Sequence, residues 1–66
     1  MKLISAKYQA HDIEKALRPD DGWWRVSTGE AIREAACLLL MADMQETAVM
    51  ELLGSVVNAM RNEYGD

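Results

Sequence analysis

From residue 47 to residue 62 the apolar side chains fall at Val49, Leu52, Leu53, Val56, Val57 and Met60, and Tyr64 extends the series. This is the i, i+3, i+4, i+7 spacing of an amphipathic helix, with an apolar arc of roughly 160°. Glu51, Ser55, Asn58, Arg61 and Asn62 hold the other side. Gly54 falls on the polar side, where it costs about 1 kcal/mol relative to alanine without breaking the pattern. Gly65 supplies a stop. The spacing predicts a helix over residues 46–63.

A second helix is predicted over residues 28–44. Ser27 or Thr28 can cap it, and Glu30, three residues after Ser27, completes a capping box. Its first two turns are ordinary, with Ile32, Ala35 and Ala36 inward and Glu30, Arg33 and Glu34 outward. Beyond Cys37 the polar face disappears until Asp43. Leu38-Leu39-Leu40-Met41 point to every side of the helix at 100° per residue. The strip Ala31-Ala35-Leu38-Ala42 is small enough for a close approach to the following helix or to a second copy of itself. Residues 42–46 contain neither proline nor glycine. They read as a tight turn, with Asp43 or Thr47 capping the last helix, because one continuous helix would leave its apolar surface unpaired.

The N-terminal third is weaker. Leu3, Ala6, Ala10, Ile13 and Leu17 make a helical face, which predicts a helix over residues 5–18 that Pro19 ends. A strand over Lys2–Tyr8, paired with Trp24–Ser27, is the alternative and would make the fold α+β. Pro19-Asp20-Asp21-Gly22 is a turn by composition. The pattern as a whole gives an all-α domain over residues 1–66: a short N-terminal helix, a Trp-containing turn and a helical hairpin.

Size sharpens this picture. A 66-residue chain buries only about 60% of its unfolded surface, and small domains usually need a staple. Cys37 is the single cysteine, so no intrachain disulfide forms, and His11 is the single histidine, so no Cys/His zinc cluster exists. No cofactor is implied. Oligomerisation remains, and half of the residues are hydrophobic. A homodimeric bundle is therefore expected, its core or interface drawn from Leu38, Leu39, Leu40, Met41, Met44, Val49, Leu53, Val56, Val57 and Met60. The longest strictly apolar run, residues 35–42, is too short to span a bilayer. The free cysteine and the lack of a secretory h-region point to the cytoplasm.

Charge excludes more than it suggests. Residues 1–18 hold four basic and two acidic side chains, whereas residues 19–66 hold three arginines against nine carboxylates. The net charge is −4, and an acidic chain without a basic cluster is poorly matched to phosphate neutralisation. A helix-turn-helix regulator would have to read DNA with only Asn58, Arg61 and Asn62, beside Glu51 and Glu63.

Catalytic chemistry has little to draw on. His11-Asp12 with Glu14 lacks an oriented partner and a pocket, and Asp12 reads as a cap. Cys37 has no basic neighbour to activate it and reads as a small hydrophobe. Asp20, Asp21, Glu30 and Glu34 lack the ligand density of a calcium loop. Four methionines, Met41, Met44, Met50 and Met60, fall near the apolar faces, where they fill gaps or adapt to partners. The adjacent Trp23 and Trp24 cannot easily enter one core together. A part-exposed tryptophan rimmed by Asp20, Asp21 and Arg25 is the expected contact with another protein. The chain is thus expected to be a non-enzymatic interaction module, a regulator or inhibitor of a larger protein. A DNA-binding regulator and a permanent structural subunit are the alternatives.

Overall fold

The computed structural model of the chain describes residues 2–20 and 22–64. Three helices succeed one another: α1 (Lys2–Leu17), α2 (Val26–Met41) and α3 (Glu46–Tyr64). Among the described residues there is no strand. The two-stranded alternative therefore fails, because Lys2–Tyr8 belongs to α1 and Trp24 lies in the connection before α2. The reason is periodicity. Ala6, Ala10 and Ile13 form one buried line at helical spacing, and Tyr8 and Ile4 are left on the outside.

Each helix gives one line of side chains to the core: Ala6, Ala10 and Ile13 from α1, Ile32, Ala36 and Leu40 from α2, and Val49, Leu53 and Val57 from α3. Ala6 and Ala10 of α1 and Ala36 of α2 are small enough to let these two helices lie close together. They run antiparallel. Gly29 near the start of α2 sits beside Glu14 near the end of α1, and Leu3 shares a depression with Leu38 and Met41. Leu17, Trp23, Trp24, Leu39, Met44 and Met50 pack around the core.

Helix α2 starts earlier than its polar sequence suggests. Arg25 occupies the N-cap position in an extended conformation, with no side-chain capping hydrogen bond. Ser27 and Thr28 lie inside the first turn, so neither can cap at the expected place and the capping box does not form. The tryptophans packed just ahead of Arg25 set the chain's entry, and this outweighs local capping preference.

At its other end α2 closes with a Schellman turn, the 6→1 and 5→2 pair of backbone bonds. The Met44 N–H donates to the Leu39 carbonyl at 3.2 Å and the Asp43 N–H donates to the Leu40 carbonyl at 3.0 Å. Asp43 takes the left-handed position at φ 71°, where glycine is commonest. Met44 and Leu39, both half-buried against the core, complete the motif. The expected hairpin is therefore real, and its turn is built without glycine.

Candidate functional site

Glu14 is 2% exposed and is the one charged side chain among the buried described residues. It reaches the interior because α1 places it one residue past Ile13 on the face turned to α2. Arg18, one turn on, holds it with a fork: Nε donates to Oε2 at 2.9 Å and Nη2 to Oε1 at 3.0 Å. The Arg33 guanidinium approaches from α2, with Nε 3.8 Å from Oε1. Gly29 makes room for this. A Cβ there would stand 3.2 Å from Glu14 Oε2 and 3.1 Å from Trp24 Nε1. These groups line an open cleft of about 350 Å³ with Pro19, Asp20, Gly22 and Val26. The carboxylate is already matched to Arg18, so the arrangement locks α1 to the connection.

The two indoles meet edge to face, with centroids 5.5 Å apart and planes at 75°. Both are half-buried against the core. Trp24 lines the Glu14 cleft, while Trp23 lines a second cleft of about 460 Å³ with Gly22, Arg25, Thr28 and Met60. Trp23 Nε1 is shielded from water and has no acceptor among the described residues. Buried N–H groups are ordinarily paired. Arg25 and Asp20 are exposed beside the tryptophans, and Asp21 lies outside the described residues.

A third region lies on the sides of α1 and α2. Leu3, Ile4, Tyr8, Leu38 and Met41 are 45, 53, 73, 69 and 39% exposed. Three shallow depressions join them into one surface. One holds Ile4, Lys7, Tyr8 and His11; one holds Leu3, Lys7, Glu34, Cys37, Leu38 and Met41; a third holds Lys7, Ala10, Arg33, Glu34 and Cys37. No residue of α3 lines any of the three. The pair α1/α2 is thus covered by α3 on one side and open on this one.

The residues expected to form the core or interface separate into three groups. Leu40, Val49, Leu53 and Val57 are buried; Leu39, Met44 and Met60 are half-buried; Leu38, Met41 and Val56 are exposed. The all-round apolar stretch of α2 is therefore divided, with Leu40 inside the single chain and Leu38 in water. Three residues of consequence are not singled out by pattern: Gly29, Lys7 and Tyr8. The Ile4, Tyr8, His11 spacing is the available signal for the open face of α1. Comparison with protein-family models, with curated proteins and with solved structures found no match to this chain.

Proposed function

We propose that this protein is a small acidic interaction module that works as a homodimer and regulates a larger protein by occupying its surface. The observation that carries the reading is the tryptophan end. Trp23 borders a cleft, its indole N–H lacks an acceptor among the described residues, and the exposed Arg25 stands at the rim. Tryptophan and arginine at a rimmed cleft are the residue types that dominate binding energy. The indole nitrogen is itself shielded, so a partner would meet the exposed part of the half-buried ring and the Arg25 guanidinium at the mouth of the cleft. Among the described residues no group of three His, Cys, Asp or Glu could hold a metal. Among the described residues no helix is long and apolar enough to cross a membrane.

The test is capture from native lysate with the wild type, Arg25→Glu and Trp23→Phe. Arg25 is exposed, so its reversal leaves the fold intact, and phenylalanine keeps an aromatic ring while removing the donor. A stoichiometric partner held by the wild type and lost or weakened at least tenfold by each variant is the expected result. A partner retained equally by all three would remove the tryptophan end from the interface.

A further inference from the structure

We propose that a second copy of this chain covers the open α1/α2 face, related to the first by a twofold axis running along the helix pair. The inference rests on the interaction-module reading above and gives its dimer a surface. The first argument is area. The chain exposes 4747 Å², whereas a compact monomer of 7.4 kDa exposes about 4,200 Å². The surplus is large for so small a molecule. A standard interface takes about 800 Å² from each partner, and Leu3, Ile4, Tyr8, Leu38 and Met41 put apolar atoms on this one face.

The second argument is charge. Lys7 on α1 and Glu34 on α2 line the same two depressions, so they stand at one height along the antiparallel pair. Neither has an ion-pair partner within 4 Å among the described residues. A twofold axis along the helices preserves height and lays α1 of each copy on α2 of the other. Each Lys7 then comes over Glu34 of the second copy, and the pair forms twice. An axis across the helices would instead lay α1 on α1, with lysine toward lysine. A partner surface of one sign would leave either Lys7 or Glu34 facing its own charge. Arg33 on the same face already approaches Glu14 at 3.8 Å, so with Lys7 over Glu34 the face is matched to itself, as an isologous contact requires.

Sedimentation equilibrium on the whole chain tests this. The wild type should run at twice 7.4 kDa. Leu38→Glu should be monomeric, at least a hundredfold weaker, with an unchanged helical circular dichroism signal because Leu38 is 69% exposed within one chain. Lys7→Glu and Glu34→Lys should each weaken self-association about tenfold, because each turns two attractions into two repulsions. An equimolar mixture of these two variants should recover wild-type affinity as a heterodimer, since both cross-pairs are then restored. A wild type that stays monomeric at millimolar concentration overturns the proposal, as does a dimer indifferent to Leu38→Glu, or a mixture no tighter than its components. A monomer that still captures its target through Arg25 would remove this inference and the homodimer, and leave the regulatory contact standing. A dimer of the expected kind that captures nothing would instead remove the regulatory reading.

Discussion

At the scale of single residues, Glu14 and its fork on Arg18 are the most consequential pair. The burial is one-sided: the Glu14 side chain is 2% exposed, while Arg18 is 53% exposed. Arg18→Ala would leave a carboxylate in the interior with only Arg33 at 3.8 Å to answer it, and breaking a buried pair from that side is expensive. Glu14→Gln keeps the shape and removes the interior charge, with Arg18 53% exposed to water. Urea denaturation at neutral pH should show Arg18→Ala less stable by about 3 kcal/mol and Glu14→Gln by about half of that. Equal losses would mean that the interior carboxylate is solvated more than its burial indicates. The pair is visible in the sequence as an i, i+4 acid and base, but such pairs usually lie on a wet surface. What the sequence hides is Gly29, fifteen positions away, whose missing side chain opens the space that draws Glu14 inward.

At the scale of elements, the helices were legible because their apolar spacing is regular over several turns. The hairpin α2/α3 was legible because the pattern restarts after Asp43. The start of α2 was not, since local hydroxyl chemistry favoured Ser27 and tertiary packing of Trp23 and Trp24 favoured Arg25. In α3 the apolar arc is wider than the contact it makes. Val49, Leu53 and Val57 are buried, whereas Leu52 and Val56 remain 47 and 39% exposed. Gly54 is half-buried, on the side facing Leu17, and not on a fully solvated face. A Cβ there would lie 3.7 Å from Leu17 Cδ2, an ordinary van der Waals contact. Gly54→Ala should therefore raise stability by about 1 kcal/mol and the melting temperature by about 4–8 °C, as calorimetry can read. A loss of stability would mean that α1 and α3 lie closer than this spacing.

At the scale of the whole molecule, the Cα envelope measures 40 × 19 × 14 Å. Helices α1 and α2 lie side by side, and α3 packs on one of their two sides. The surplus of apolar residues in the composition is what suggested a partner, and the proposed dimer rests on it. Which side chains would be left out could not be read from it, because Leu38 and Leu40 look alike until α3 has chosen its side. An association of this kind ties stability to concentration. The melting temperature of the wild type should rise by several degrees over a hundredfold increase in protein concentration, and that of Leu38→Glu should not. A concentration-independent transition in both would identify the single chain as the folding unit.

The edge-to-face indoles give this small molecule an optical gauge of its own. Trp24 stands beside Glu14 of α1 and Gly29 of α2, and Trp23 borders Met60 of α3, so the two chromophores straddle the joint where all three rods meet. Loosening any one rod changes their separation or tilt, and with it the emission and near-ultraviolet dichroism of the pair. Assembly, docking and melting can therefore be tracked in the native sequence, without attaching a dye.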